Sequence, residues 1–537
     1  MMGDVKNMRL NYYYNFKNTI RFFMNIENMD FSNVVNNKHS WSAPFNFRIR
    51  KDSSSFRTLK IPNIYNFKAA YEYYKTQLTK YGLDFEKLEE LDLNKRMRID
   101  YDLGEFKEKS YDEWQVIDYN LLIKYDILIR CDIKSFYENI YTHYILNDLT
   151  KDEKIDKPLS HLNNGRTGGI IMGNYISLYM AELLSRKISQ KFKDKLESVN
   201  IDCVFSYFSD DFYIFCSKDN KEKVLDLFDE SLEEYSLNRN ENKVSTFDYL
   251  EYTNEDKIEK YWKIITSKCK LQQYNQLKKI EKGELAYDNN LFFTNQLIYR
   301  LNKITDYKKQ KVFIVNFFKS EFFRKTNFKK TNFAPYNYHQ LLYLIKKFPE
   351  IVMYIDNIIA SFEAFKSLSF KETALNFFNN SLLSNYHDEQ LYFFYLLYKI
   401  DSFEFLKNNL KPKSILISKN SLLISYFIKY NLFDQQTINE LKALKNEDYW
   451  LVFYYLILND EKLYTDLENS VVNYLIPATA KRNLKEQYKK FYENNLIRKN
   501  EILVNLDNVK AELNEYFKVK DKRAPKSAEE TEKILYF

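Results

Sequence analysis

Two adjacent aspartates interrupt an apolar, aromatic-rich stretch of the chain, "CVFSYFSDDFYIFCS" at residues 203–217. The apolar runs on either side are typical of buried strands, so the stretch predicts two strands that meet at Asp210 and Asp211. A carboxylate in apolar surroundings costs free energy unless a cation or hydrogen bonds compensate its charge. The pair therefore indicates either a polar turn, for which Ser-Asp-Asp is suitable, or a site that binds a cation.

A further aspartate ends another apolar run. The segment "YDILIRCDI" at residues 125–133 predicts a strand that reaches Asp132. If this strand pairs beside the hairpin, Asp132 and Asp210 lie next to each other, with Asp211 close by. Carboxylates at that distance repel each other unless cations lie between them. Oxygen ligands suit Mg²⁺ or Mn²⁺, and a pair of such ions serves phosphoryl transfer, so the three aspartates predict a metal site.

The glycines mark a second feature. Of the eight in the chain, four lie between residues 165 and 173: Gly165, Gly168, Gly169 and Gly173. Glycine is needed where the backbone takes a positive φ or where a ligand approaches closely. Other turns of this chain use Asn, Asp and Ser, so this concentration indicates a functional loop; a plain loop before a helix is the alternative.

The two halves of the chain differ in periodicity. The first half reads strand, helix, hairpin, helix, an α+β order with helices packed on one face of an antiparallel sheet. From about residue 285, apolar residues recur at helical spacing with short polar breaks, which predicts an all-α domain. We expect a helical-repeat (HEAT-like) arrangement of stacked hairpins, with a compact helical domain as the alternative, since no signature of a named repeat is present. The predicted division is an α+β domain at 1–270, a helical domain at 271–512 and a charged tail at 513–537.

Composition limits the class only loosely. The net charge of +7 is compatible with nucleic acid but does not require it. The four cysteines form no CxxC pair and the five histidines are scattered, so we expect reduced cysteines and no zinc site. The longest apolar run, residues 449–458, is too short to cross a bilayer. These features predict a soluble cytoplasmic protein with no membrane partner.

The segment "CDIKSFYENIYTHYI" (131–145) resembles motif A of reverse transcriptases, and "FSDD" (208–211) resembles motif C with Phe208 in place of the usual tyrosine. The resemblance implies that the aspartates hold the catalytic metal ions. It also implies that Phe136 and Tyr137 contact the nucleotide, with Tyr137 under the incoming sugar, where it excludes a 2′-hydroxyl.

Two segments resemble motifs B and D of the same enzymes. "GGIIMGNYIS" (168–177) stands in the place of motif B, with Gly173 and Asn174 as expected nucleotide contacts, but it lacks the usual Gln-Gly-Ser-Pro core. "LNRNENKVSTF" (237–247) resembles motif D, which implies that Lys243 protonates the pyrophosphate leaving group. The alternative for Lys243 is a solvated loop lysine.

The segment "FRIRKDSSSFRTLKIPN" (47–63) resembles the fingers motifs of reverse transcriptases. The resemblance implies that cations of this hairpin contact the triphosphate. They are Arg50, Lys51, Arg57 and Lys60. An exposed basic loop is the alternative. The matched segments span roughly residues 40–250 and together imply a fingers-and-palm polymerase fold.

The stretch "FYENIYTHYI" and the run of Ser177, Ala181 and Glu182 are similar to the abortive-infection (Abi, AbiK-like) and other defence-associated reverse transcriptases of bacteria. The likeness implies an antiphage, metal-dependent deoxynucleotidyl transferase that is protein-primed, template-independent and homo-oligomeric. Its partners are then deoxynucleotides and a DNA product that is covalently attached to the protein.

Two alternatives remain open: an enzyme that copies a non-coding RNA, as retrons do, and a non-catalytic interaction scaffold. Tyrosines at chain positions expected to be mobile are candidate priming residues, with packing or solvent exposure as the alternative for each. They are Tyr12, Tyr13, Tyr14 and Tyr536.

Overall fold

The computed structural model describes residues 8–36, 39–88, 94–96, 99–146, 155–255, 297–320, 323–324, 335–409 and 412–523. The chain forms two compact units. The sheet unit comprises residues 1–46, 59–252 and 441–537, and the helical unit comprises residues 47–58 and 253–440.

The strands are short, as the brief apolar runs of the sequence predict. They are β1 Phe45–Arg50, β2 Phe56–Ile61, β3 Ile99–Asp100, β4 Glu105–Phe106, β5 Ile127–Asp132, β6 Val204–Phe208, β7 Asp211–Cys216 and β8 Ser245–Phe247. β1 pairs with β2, and β3 pairs with β4. The largest sheet has the order β6-β7-β5-β8, and its neighbouring strands are antiparallel.

Helices make up most of the rest of both units. The first ten are α1 Leu10–Tyr14, α2 Asn18–Arg21, α3 Ile64–Thr79, α4 Glu108–Lys124, α5 Phe136–Asn139, α6 Thr142–Leu146, α7 Lys157–Leu162, α8 Tyr175–Ser198, α9 Lys221–Glu233 and α10 Tyr249–Glu255. The next are α11 Tyr307–Lys319, α12 Pro335–Lys347, α13 Asp356–Ser361, α14 Leu368–Leu382, α15 His387–Lys399, α16 Phe403–Asn409, α17 Pro412–Ser418, α18 Ser421–Lys429 and α19 Gln435–Leu444. The last are α20 Trp450–Asn459, α21 Glu461–Thr465, α22 Leu467–Tyr474, α23 Arg482–Ile497 and α24 Leu506–Arg523. Short 3₁₀ turns lie at Lys218–Asn220, Glu241–Lys243, Pro349–Met353, Glu363–Lys366 and Glu447–Tyr449.

The core of the sheet unit lies between one face of the four-stranded sheet and helices α8 and α9. Phe212 on β7 is fully buried, and its ring centroid lies 4.8 Å from that of Phe228 on α9. Phe192 on α8 packs against the same Phe228 ring at 5.3 Å. Burial of these rings stabilises this face of the sheet. The predicted order of strand, helix, hairpin and helix is confirmed in this coarse form.

The carboxyl-terminal segment belongs to the sheet unit, although the sequence-based division assigned residues up to 512 to the helical domain. The Tyr488 hydroxyl donates to Asn66 Oδ1 at 2.5 Å and accepts from the backbone N–H of Ser40 at 3.1 Å. Phe45 packs against Trp450 with ring centroids 5.7 Å apart. These contacts join positions hundreds of residues apart, so helical periodicity could not reveal them.

The first part of the predicted charged tail, residues 513–523, is helical. α24 continues to Arg523 and buries Leu513, Tyr516 and Phe517, because its apolar residues recur at helical spacing. The Tyr516 hydroxyl donates to Glu105 Oε2 at 2.6 Å. Residues 524–537, which include Tyr536, lie outside the described residues.

The helical unit has an aromatic core. Phe378 on α14, Phe394 on α15 and Phe427 on α18 are fully buried. The centroids of Phe394 and Phe427 are 5.1 Å apart. The helical character predicted for this region is confirmed over its described part, whereas the HEAT-like repeat stays a prediction.

Candidate active site

The two predicted strand ends meet. β5 and β7 pair in antiparallel register, and the last residue of β5, Asp132, lies directly opposite the first residue of β7, Asp211. Directly paired residues of an antiparallel sheet project their side chains to the same face. The sequence had paired Asp132 with Asp210; the direct partner is Asp211, because Asp210 lies in the turn rather than in the strand.

A two-residue turn, Ser209 and Asp210, joins β6 to β7. Ser209 has a φ of +55°, the left-handed conformation that tight hairpins require. The Asp210 carbonyl accepts from the backbone N–H of Ile133 at 3.0 Å, and the Ser209 carbonyl accepts from the Ser185 hydroxyl on α8 at 3.1 Å. The turn is therefore held from both sides, which positions Asp210 beside the end of β5.

Lys243 reaches the same place from the 3₁₀ turn after α9. Its ammonium group donates to Asp132 Oδ2 at 2.6 Å. Asn240 supports this contact: its backbone N–H donates to the Asp132 carbonyl at 2.7 Å, and its amide donates to Asp132 Oδ2 at 3.2 Å. Half of the Lys243 side chain is covered and its charge is paired with Asp132. These contacts agree less well with a solvated loop lysine than with a lysine that belongs to the site.

The charges at this end of the sheet repel one another. The pKa of Asp211 is raised to about 6, first by the crowding that limits its hydration and then by the neighbouring carboxylates of Asp210 and Asp132. Asp211 is exposed, so like-charge repulsion is the cause that its position supports most directly. Lys243 and Arg130 act in the opposite direction. Arg130 lies two residues before Asp132 on β5 and hence on the same face of the sheet.

The aromatic pair after Asp132 divides into a core residue and a site residue. Phe136 is buried, whereas Tyr137 is half-buried and its hydroxyl lies 3.5 Å from the Ser209 hydroxyl in the turn. The Tyr137 carbonyl accepts from the backbone N–H of Ile170 at 2.8 Å, which ties it to the glycine loop. The structure thus brings Tyr137, and not Phe136, to the accessible side of the site.

The glycine loop approaches other backbone closely. A Cβ on Gly169 would lie 2.8 Å from the carbonyl oxygen of Glu138, and Gly169 has a φ of +79°. Gly173 has a φ of +122° and packs near Leu59. Asn174 caps α8, because its side chain accepts from the Ser177 backbone N–H at 3.0 Å. The loop therefore begins α8 and holds Tyr137, while direct nucleotide contact by Gly173 and Asn174 stays a prediction.

The four hairpin cations fall into different units. Lys60 lies in the sheet unit, where its ammonium donates to Asn163 Oδ1 at 3.0 Å. Arg50, Lys51 and Arg57 lie in the helical unit. Lys51 and Arg57 are exposed, but the Arg50 guanidinium pairs with Glu389 at 2.9 Å. Arg50 is thus engaged in an ion pair within the helical unit rather than presented as an open phosphate ligand.

The donor chemistry suits a hard divalent cation, since three carboxylates lie at one end of the sheet and the pKa of Asp211 is raised by limited hydration and then by its two acidic neighbours. Their arrangement is not that of a formed metal cage. Within the described ranges, no group of three or more His, Cys, Asp or Glu side chains is placed to hold a metal ion. The Lys243 ammonium already contacts one oxygen of the Asp132 carboxylate.

The amino-terminal priming candidates are packed rather than mobile. Tyr13 and Tyr14 are almost fully buried, and the Tyr14 hydroxyl donates to the Pro62 carbonyl at 2.7 Å. The Tyr12 ring is covered by the Arg21 guanidinium, 4.3 Å from its centroid. The expectation of a freely reaching side chain is wrong for Tyr13 and Tyr14, since aromatic packing outweighs the mobility expected near a chain end. For the half-buried Tyr12 it stays a prediction.

Sequence reasoning missed Ser185 and Arg130. Ser185 holds the Ser209 carbonyl from α8, a contact between separate elements that left no local signal. Arg130 could have been found, because strand alternation places it on the same face as Asp132.

No protein-family model and no curated protein matches the chain. Among solved structures it is similar to a telomerase from Candida albicans in complex with a fragment of telomeric RNA, at 12% identity and a TM-score of 0.30. That match covers 71% of this chain and 64% of the telomerase, so the chain spans less than two thirds of this structure. The apo telomerase from Candida tropicalis matches at 14% identity and a TM-score of 0.30, over 84% of this chain and 70% of that one. Scores this low do not establish a common fold. No helix in the part of the chain that the structure describes is long and apolar enough to cross a membrane.

Proposed function

We propose that the sheet unit is a metal-dependent nucleotidyltransferase that adds deoxynucleotides to a hydroxyl acceptor, in the manner of a reverse transcriptase. The observation that carries the proposal is the placement of Asp132 opposite Asp211, with Asp210 in the adjoining turn and Lys243 on Asp132. A plain polar turn needs neither a second strand ending in aspartate nor a lysine from a third segment.

The roles of the side chains follow from their chemistry. The carboxylates of Asp132, Asp210 and Asp211 would hold divalent cations, which when bound supply positive charge to the phosphates in phosphoryl transfer. The Lys243 ammonium is a proton donor in contact with Asp132, so it suits protonation of the leaving pyrophosphate. The Tyr137 ring, tied to the turn and to the glycine loop, suits the floor of a sugar pocket.

Incorporation of labelled deoxynucleotides by the purified full-length protein, with Mg²⁺ or Mn²⁺, tests the proposal. We expect Asp210→Asn to reduce the rate by about 10²-fold or more, because one ligand of the charge-stabilising centre is lost. Asp226→Asn, at an exposed position of α9, is the matched control and should match wild type. Equal rates for wild type and Asp210→Asn would contradict the metal-site assignment.

The resemblance to the abortive-infection enzymes supports a finer proposal: the product is DNA made without a template, attached to the protein, and used in antiphage defence. Mass analysis of the protein from cells, before and after DNase, tests the attachment. Loss of synthesis after RNase, with one defined RNA co-purifying, would favour the RNA-copying alternative. Phage protection that survives Asp132→Ala would favour the interaction scaffold.

A further inference from the structure

An exposed tryptophan lies flat on the glycine loop of the sheet unit. Trp41 is 47% exposed, more than any other tryptophan among the residues that the structure describes. Its six-membered ring covers Gly165 so closely that a Cβ there would lie 2.7 Å from Cδ2 of the indole. Gly165 also has a φ of +78°. Only glycine lets one face of the indole rest on this loop, which leaves the opposite face directed to solvent.

Trp41 is also held in position by its backbone and by its ring. The Trp41 carbonyl accepts from the Thr479 hydroxyl at 3.1 Å, and the indole packs edge-on to the His161 ring, with centroids 6.5 Å apart. A flat aromatic surface that is held before binding loses little conformational entropy when a second ring stacks on it.

Two cations lie at this loop: Arg166 belongs to it, and Lys60 of β2 contacts it through Asn163. Arg166 follows Gly165 and is exposed, and its guanidinium has no hydrogen-bond or ion-pair partner among the residues that the structure describes. Lys60 is anchored to Asn163 at 3.0 Å, and its pKa is lowered by burial and by the positive charge of Arg166. Glu138 is a nearby acid that acts on Lys60 in the opposite sense. The local balance favours an anion.

The other end of the loop reaches the candidate active site. The backbone N–H of Gly169 donates to the Ile140 carbonyl at 2.8 Å, and that of Ile170 donates to the Tyr137 carbonyl at 2.8 Å. One continuous segment, residues 163–173, therefore connects Trp41 and Arg166 with the residue that contacts the Asp210 turn.

We propose that the open face of Trp41, with Arg166 and Lys60, binds single-stranded nucleic acid: one base stacks on the indole and a neighbouring phosphate meets the two cations. Base–aromatic stacking beside cations is the usual chemistry of single-strand binding. The inference rests on the proposed function, since the strand would be the one that the nucleotidyltransferase extends or copies. Binding can nevertheless be measured without any incorporation.

The test is the fluorescence anisotropy of labelled 15-nucleotide oligo(dT) and oligo(rU) with the full-length protein, in chelator and without deoxynucleotides. Trp41→Leu keeps an apolar contact with Gly165 but removes the π face, and we expect its affinity to fall by about tenfold. Trp41→Phe keeps a ring and should stay within about threefold of wild type. Arg166→Ala should weaken binding by a few-fold. It should also make the slope of log affinity against log salt concentration shallower, by about the amount that one phosphate contact contributes.

Arg186→Ala, at an exposed arginine of α8, is the matched control and should bind as wild type does. Wild-type affinity in either Trp41→Leu or Arg166→Ala overturns the inference, as does a wild type that binds neither oligonucleotide. A preference between the two oligonucleotides identifies DNA or RNA as the natural strand. If the Trp41 and Arg166 variants bind more weakly but the wild type incorporates no deoxynucleotides, only the proposed function is contradicted. If the wild type incorporates deoxynucleotides and the variants bind as it does, only the present inference is contradicted.

Discussion

The two units each contain a cluster of acidic side chains, and the clusters differ in how their charge is compensated. In the helical unit, Asp388 and Glu389 are buried, and burial raises the pKa of both. Lys311 lies 3.7 Å from Asp388, and Arg50 lies 2.9 Å from Glu389. The Arg50 guanidinium is further covered by the rings of Tyr307 and Tyr386, at 4.4 and 4.9 Å.

In the sheet unit, by contrast, Asp211 is open to solvent and the pKa of its carboxyl is raised in part by two other carboxylates. A closed cluster whose acids contact cations is typical of structural ion pairs. An open cluster in which acids repel one another is typical of functional sites. The comparison distinguishes Asp211, whose carboxyl is open and crowded by like charge, from the buried Asp388 and Glu389. Asp132 shares a feature of each cluster, because it raises the pKa of Asp211 but is itself buried and paired with Lys243.

The largest expected effect is on activity at the open cluster. Asp211→Asn should reduce incorporation by about a thousandfold, because a charge that the transition state requires is removed. The free energy of unfolding should stay equal or rise slightly, since like-charge repulsion is relieved. Incorporation assays and chemical denaturation of the same variant check both parts. A clear loss of stability would show that the Asp211 carboxylate stabilises the fold, as Asp388 and Glu389 are expected to do, and would contradict the distinction between the two clusters.

Lys243→Met should reduce incorporation by about a hundredfold, since a general acid of this kind contributes on that order. Lys191→Met, an exposed lysine of α8 whose ion pair with Glu234 is 3.3 Å long, is the matched control and should leave the rate unchanged. If the two lysine variants behave alike, Lys243 is only a charge partner of Asp132.

Glu389→Ala should lower the free energy of unfolding by about 2 kcal/mol, because the Arg50 guanidinium loses its charged hydrogen-bond acceptor. The control is Glu363→Ala in the same unit, where an exposed ion pair with Lys366 should contribute little. Urea denaturation of both variants measures the difference. Equal stabilities would show that the closed cluster is not structural.

The smallest effect is a pH dependence. The pKa of Asp211 is raised from 3.8 to about 6 in the folded chain, so the folded state binds more protons than the unfolded state between these values. The contribution of Asp211 to the free energy of unfolding therefore falls as the pH rises from about 4 to about 6. Denaturation in chelator at pH 4.5 and 6.5 should show a small gain for Asp211→Asn over wild type at the higher pH only, reduced by solvent screening. A gain of equal size at both pH values would contradict the assigned pKa.

Local pattern was sufficient for much of the site. The apolar runs predicted the strands that end at Asp132 and begin at Asp211, and the order of strand, helix, hairpin and helix included a helix between them, because periodicity and turn chemistry act within a few residues. The same reasoning paired Asp132 with Asp210, whereas its direct partner is Asp211. A shift of one residue in register changes the face of every side chain, and no local signal determines it.

Tertiary structure alone decided which charges stay available. Arg50 and Lys60 belong to one basic segment, yet Arg50 is paired with Glu389 far along the chain, and Lys60 is anchored beside Arg166. Likewise, Tyr13 and Tyr14 resemble mobile terminal residues in the sequence but are buried in the sheet unit. Sequence reports which groups exist and their local periodicity, whereas burial and charge pairing depend on segments that only folding brings together.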